Sequence, residues 1–300
     1  MPGVAPDPRA GRAPYSGHDL TCNLIYRSMD GPCKLILEKF AGSIYALRMD
    51  TCIPASSMIF LRRCVLAIAL VAGAISAAEN DFQWHVVLAA VGNEQNVFDN
   101  FISDFGAALK DSPDVASITE LHASFDDRWQ ASGLQNLERT LTALQPQDNQ
   151  GCLVYLTGHG APQGLALSSD TPTYFVRASR MESMLDSCAG RKTVLVVSAC
   201  FSGQYVRRGI TRDERIVMTA SAEDLTSFGC SNNNRYTFFD QCFMDAWPLN
   251  KQWGALAEDV RRCVRETERR GNFPASRPQF FFGPGLESLA MPMKAASAPK

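Results

Sequence analysis

Two apolar runs constrain this chain more than anything else in it: Leu153-Val154-Tyr155-Leu156 and Val194-Leu195-Val196-Val197. Neither alternates with polar residues, which is the pattern of a strand covered on both faces, as in a parallel sheet sheathed by helices. The first run continues through Thr157-Gly158 to His159 and Gly160, and the second through Ser198-Ala199 to Cys200. The carboxyl ends of such strands are where open α/β sheets place their sites. A thiol with an ordinary pKa near ~8.5 is mostly protonated at neutral pH, so a nucleophilic Cys200 needs an imidazole or a helix N-terminus beside it. A histidine closing a neighbouring strand supplies that imidazole.

The rest of the chain reads as alternating strands and helices. Residues 83–91 form a first strand, and Val97 to Lys110 carries Val97, Phe98, Phe101, Ile102, Phe105 and Leu109 at helical spacing. A second strand falls at 115–121, a second helix at Leu134 to Leu144, and the strand feeding His159 at 152–158. Arg177 to Cys188 reads as the helix before the Cys200 strand. Arg215 to Ala220 is a further strand, Leu256 to Arg270 a basic helix, and Gln279 to Phe282 a last short strand. This order predicts an α/β fold with a mainly parallel sheet and helices on both faces.

Hydrophobic residues ending in His-Gly, then hydrophobic residues ending in Ala-Cys, resemble the caspase-type clan of cysteine peptidases. The closer resemblance is to the legumain-like C13 family, which includes the catalytic subunit of the GPI transamidase, and it spans roughly residues 84 to 283. It implies a caspase/hemoglobinase-like three-layer sandwich. It makes Cys200 the nucleophile, His159 the proton-handling imidazole, and the backbone N–H groups of Gly160 and Cys200 the oxyanion hole. Peptides or proteins are the implied substrates, cleaved through a thioacyl-enzyme without a cofactor, with Asn or Asp before the scissile bond. An amine in place of water would make the same site a transpeptidase or transamidase. A catalytically inactive binding module on the same scaffold is the alternative of a different class.

The resemblance also gives pocket positions. The stretch from Thr219 to Cys230 is similar to the segment bordering legumain's primary pocket, so Thr226, Ser227 and Phe228 are expected to line it, with Ser198. The charged positions of the asparagine pocket align with Phe98, Ser198 and about Gln241, while Asp99 and Asp240 lie one position away. Asn96 is a candidate orienter of His159 through its place in the exit loop of the first strand, or else an ordinary turn residue. His85 and His122 are expected to be structural.

Other chemistries fail on spacing. Gly158, Gly160 and Gly164 give G-x-G-x-x-x-G ahead of a strand-like Leu165 to Leu167, which is not a dinucleotide fingerprint. No G-x-S-x-G elbow surrounds Ser198 or Ser202, and C-x-x-C and H-E-x-x-H are absent, so no metal site is expected. Residues 79–300 carry 21 basic and 26 acidic residues, no footprint for nucleic acid.

Met58-Ile-Phe-Leu-Arg-Arg, an apolar run from Cys64 to Ala78 and then Glu79-Asn80-Asp81 match a secretory signal with cleavage after Ser76-Ala77-Ala78. The expected organisation is a poorly structured segment at 1–57 (translation starting at Met58 or Met49), a signal peptide or anchor at 58–78, and a peptidase domain at 79–300. Export to the periplasm or outside the cell follows, or single-pass anchoring if the signal stays uncleaved, the one case in which a membrane is a partner. Of the six cysteines after Ala78, a free Cys200 leaves five, hence at most two disulfides. Sequence alone does not assign them; Cys152 with Cys188 and Cys230 with Cys242 are the expected pairs.

Overall fold

The computed structural model describes residues 23–28, 31–40, 44–49, 82–92, 96–123, 129–167 and 174–293, and the chain divides into two compact units, Met1–Ala77 and Ala78–Lys300. In the first unit β1 (Asn23–Ser28), β2 (Gly31–Phe40) and β3 (Ile44–Met49) form an antiparallel sheet in the order β1-β2-β3. These three strands fall within the stretch 1–57 expected to be poorly structured. Ser28 pairs with Gly31 and Phe40 with Ile44. The leader at 58–78 lies outside the described residues. Among the described residues no helix is long and apolar enough to cross a membrane.

The second unit is built on a six-stranded sheet: β4 (Gln83–Val91), β5 (Val115–Leu121), β6 (Gln150–Gly158), β10 (Thr193–Ser198), β11 (Arg215–Thr219) and β12 (Gln279–Phe282). Its order is β12-β11-β10-β6-β4-β5, all parallel except β12, which runs antiparallel to β11. A small second sheet, β7 (Gly160–Ala161), β8 (Gly164–Ala166) and β9 (Phe175–Val176), grows from the end of β6.

Successive side chains of a strand point to opposite faces, so each apolar run feeds two cores. Leu153, Tyr155, Val194 and Val196 pack with helices α1 (Asn96–Leu109), α4 (Phe238–Ala246) and α5 (Trp253–Arg270). Val154, Leu156, Leu195 and Val197 pack on the other side with α2 (Trp129–Thr142) and α3 (Ala178–Met184). The result is a three-layer α/β sandwich. All six apolar residues that predicted α1 are buried. Phe101 stacks on Tyr155 at 4.4 Å between ring centroids, and Phe105 meets Phe243 at 5.4 Å. Each such ring contributes roughly 1.5–3 kcal/mol by leaving water.

Three elements depart from expectation. Helix α2 starts at Trp129 rather than Leu134, because the interior Gly133 hides the apolar repeat without stopping the helix. The helix expected at 177–188 is α-helical only to Met184 and closes as a 3-10 turn, Leu185–Cys188. Helix α4 was not anticipated, although Thr237 caps it by accepting the backbone N–H of Asp240 at 3.1 Å.

Among the described residues the disulfides are Cys152–Cys188 and Cys242–Cys263. The first is the expected pair; the second replaces Cys230–Cys242. Cys242 lies on the buried face of α4 against α5, with its Cα 5.6 Å from that of Cys263, whereas Cys230 sits in the loop ahead of α4 and stays free with Cys200.

Candidate active site

Parallel pairing of β6 with β10 sets Thr157 opposite Ser198, and the two chains then leave the sheet side by side toward His159 and Cys200. Their closeness shows at Gly160. A Cβ built there would lie 1.9 Å from the carbonyl oxygen of Cys200 and 3.0 Å from its nitrogen. Only glycine lets the two backbones touch in this way.

The turn carrying Cys200 is fastened on every side. Gln204 donates through Nε2 to the carbonyls of Ala161 and Phe201, both at 2.9 Å, tying the turn to the hairpin that follows His159. The Tyr205 hydroxyl accepts the N–H of Leu165 at 2.9 Å and donates to the carbonyl of Val176. Ser202 and Ser221 exchange reciprocal bonds, each hydroxyl accepting the other's backbone N–H at 3.1 Å. Phe201, directly after Cys200, adopts φ 56°, a left-handed conformation that costs a bulky residue about 1–2 kcal/mol. Its N–H donates to the carbonyl of Leu225 at 2.8 Å, folding the loop after β11 over the sulfur.

That loop delivers Ser227. Its backbone N–H donates to Cys200 Sγ at 3.3 Å, its carbonyl oxygen lies 3.4 Å from the sulfur, and its hydroxyl 3.7 Å. Ser227, expected as a pocket wall, is a direct neighbour of the thiol. The His159 ring stands edge-on to Phe98, with centroids 5.2 Å apart, so the aromatic side chain that aligns with a charged pocket position braces the imidazole. Asn96 is exposed at the first position of α1.

Ser198, expected to line the pocket, is buried. It is 2% exposed, its hydroxyl 3.3 Å from that of Thr237, within a buried network around Asp240 rather than on a pocket surface. Asp240 is fully buried; Tyr155 donates to Oδ1 at 2.7 Å and Thr157 to Oδ2 at 2.6 Å. Burial pushes its carboxyl above the ordinary range, against the opposing pull of hydroxyl donors from Thr157, Ser198, Tyr155 and Thr237. Of the two carboxylates one position out of register, Asp240 therefore lies beneath the strand ends and Asp99 does not. Asp99 accepts the N–H of Ala123 at 3.0 Å and pairs with His122 at 3.3 Å. Gln241 turns outward to Asp245. His85 is held by Ser117 and Gln150, a structural role.

Thr226 is exposed and Phe228 half-buried beside it. Sequence reasoning missed the partner of Phe228. Phe273, 42% exposed, stacks on it at 5.1 Å and meets Phe238 at the same distance, forming an aromatic wall beside the loop that carries Ser227. Its signal is a bulky aromatic in the Gly271-Asn272 turn that ends α5, too exposed for core.

With this geometry in place, the family comparison is informative. The model of the Peptidase C13 family matches residues 133–262, a stretch holding His159, Gly160, Cys200, Ser227 and Asp240. Over that stretch the chain is similar to the Peptidase C13 family. The similarity supports a cysteine peptidase in general terms, a class that acts on peptides or proteins. No curated protein matches the chain. Among solved structures, the fold is similar to caspase-1 from Spodoptera frugiperda, at 13% identity and TM-score 0.46 over 67% of this chain and 87% of that one. It is also similar to drICE, at 16% identity and TM-score 0.39 over 68% and 89%.

Proposed function

We propose that the chain is an exported cysteine endopeptidase in which Cys200 attacks the scissile carbonyl and His159 handles the protons. The observation that carries this reading is the contact of the Gly160 backbone with the Cys200 peptide, at the joint end of β6 and β10. That contact supports assigning the N–H groups of Gly160 and Cys200 to the oxyanion.

The steps follow from the residues. The Ser227 N–H donates to Sγ at 3.3 Å and fixes the position of the sulfur. Attack on the carbonyl carbon moves charge to its oxygen, where the amides of Gly160 and Cys200 receive it; such donors are each worth about 2.7–4 kcal/mol in the transition state. His159 protonates the departing amine, and water then hydrolyses the thioester, returning the thiol. The aromatic wall of Phe228 and Phe273, with Thr226, receives the residue before the scissile bond. Asn or Asp is the proposed occupant, with Asp240 held beneath by its hydroxyl donors.

Export belongs to the same proposal. Its support is the signal-like sequence at 58–78 and the two disulfides, which persist in oxidising compartments. Mass analysis of the natural N-terminus tests it: a mature chain starting near Glu79 is expected, and peptides from residues 1–48 would overturn the proposed start. The catalytic reading is tested by hydrolysis of a peptide library with varied residues before the bond, beside Cys200→Ala. Cleavage abolished in that variant is expected; a folded wild-type chain that cleaves nothing would point to a binding module.

A further inference from the structure

A second recess opens beside the Cys200 turn. It is a cavity of about 320 Å³ lined by Pro162 and Gln163 of the β7–β8 hairpin, Arg177 and Ser179 at the start of α3, and Gln204 and Arg207 after Cys200. The hydrogen bond from Gln204 to Ala161 forms its edge, so the cavity adjoins the stretch that begins at Gly160. It lies on the opposite side of Cys200 from Phe228 and Phe273. Its neighbours Leu165, Val176 and Ala178 belong to the core of α2 and α3, whereas Phe238 and the loop that meets it flank the layer of α4 and α5.

The charge here is unbalanced. No acidic residue lines the cavity, and both arginines are exposed. Nearby Arg180 is committed to Glu138, and Arg212 to Glu182 and Asp186. Among the described residues neither Arg177 nor Arg207 has a carboxylate within ion-pair distance. Residues 79–300 are net acidic, so the pair is a local cationic feature on an anionic domain rather than part of a general basic surface. Two guanidinium forks facing one recess suit a planar carboxylate, which each can engage with paired N–H groups.

We propose that Arg177 and Arg207 bind a carboxylate of the substrate segment that follows the scissile bond. The direction rests on the peptidase reading above: with the preceding residue against Phe228, a chain crossing Cys200 runs into this recess. An acidic side chain and the free C-terminus of a short substrate present the same group.

The test uses the full chain carrying Cys200→Ala, which binds without turnover, and peptides bearing Glu or Gln at each of the first three positions after the bond. Amidated and free C-termini are compared separately. A Glu peptide is expected to bind about tenfold tighter than its Gln twin at one of these positions, a difference of roughly 1.4 kcal/mol. Arg177→Gln with Arg207→Gln is expected to abolish that preference while changing binding of the Gln peptide by less than about twofold. A preference for the free C-terminus alone would assign the site to the main-chain carboxylate. Equal binding of all peptides, or a preference that survives both substitutions, overturns the proposal. Hydrolysis of the Gln peptide by the wild-type chain reports separately on the peptidase reading: turnover without acid preference removes only the arginine site, and acid preference without turnover removes only the peptidase.

Discussion

The backbone of Gly160 lies so close to the peptide of Cys200 that a methyl group on its Cα would sit 1.9 Å from the Cys200 carbonyl oxygen. Backbone cannot yield as a side chain can, so Gly160→Ala must push the His159 hairpin off the Cys200 turn. Displacing one oxyanion donor is expected to lower kcat by about 10²–10³-fold, while overpacking costs roughly 1–3 kcal/mol of stability. Peptide hydrolysis beside a urea melt checks both. A variant that hydrolyses at the wild-type rate would show that the contact has no part in catalysis.

Asp240 makes stability depend on pH. Burial holds its folded-state pKa above the unfolded value, so between the two values the native chain binds more protons than the unfolded one. Its contribution is therefore greatest at acid pH and falls as pH rises from the ordinary carboxylate range, by about 1.4 kcal/mol per pH unit across the window. Asp240→Asn lacks this slope. The stability difference between wild type and variant, from urea melts at several pH values, is expected to favour the wild type most at acid pH and to shrink toward neutrality. A difference that grows with pH would mean the carboxyl is stabilised as an anion.

The strand ends are legible in the sequence for a physical reason. Burial on both faces leaves uninterrupted apolar runs, and the residue that breaks the run marks the exit from the sheet. Helix α4 carries a readable signal too, Phe239, Cys242, Phe243 and Ala246 at i, i+3, i+4 and i+7 behind the Thr237 cap, but it is only nine residues long. What surrounds the thiol is not legible. Ser227 lies 27 positions from Cys200 and meets the sulfur because Phe201, in a left-handed conformation, binds the Leu225 carbonyl. No local pattern encodes that fold-back. Ser198 misleads for the opposite reason: alternation along β10 points it at Asp240, so a polar residue next to the site serves the interior.

The bridge between α4 and α5 supports the layer behind the aromatic wall. Cys242 and Cys263 are 21 positions apart, and cross-linking a loop of that size stabilises by about 3 kcal/mol through the unfolded chain. Replacing both with serine is expected to lower unfolding free energy by that amount in the full chain. Peptide mapping without reduction is expected to recover Cys242 joined to Cys263. A Cys230–Cys242 peptide would reject the pairing.

The two free thiols interact, and this gives a test of the site that needs no substrate. The Cys230 thiol is pushed above its ordinary pKa first by burial and then by charge on Cys200. Alkylation proceeds through the thiolate, so Cys230 should react slowly at neutral pH and faster as pH rises. Replacing Cys200 with alanine removes the second influence and lowers the Cys230 pKa. Its alkylation at a fixed mildly alkaline pH should then speed up. Iodoacetamide labelling followed by mass analysis of the peptide containing Cys230 measures this directly. An unchanged rate in Cys200→Ala would mean that the two sulfurs do not share a field, and that the loop from Ser227 to Cys230 does not close over the thiol in solution.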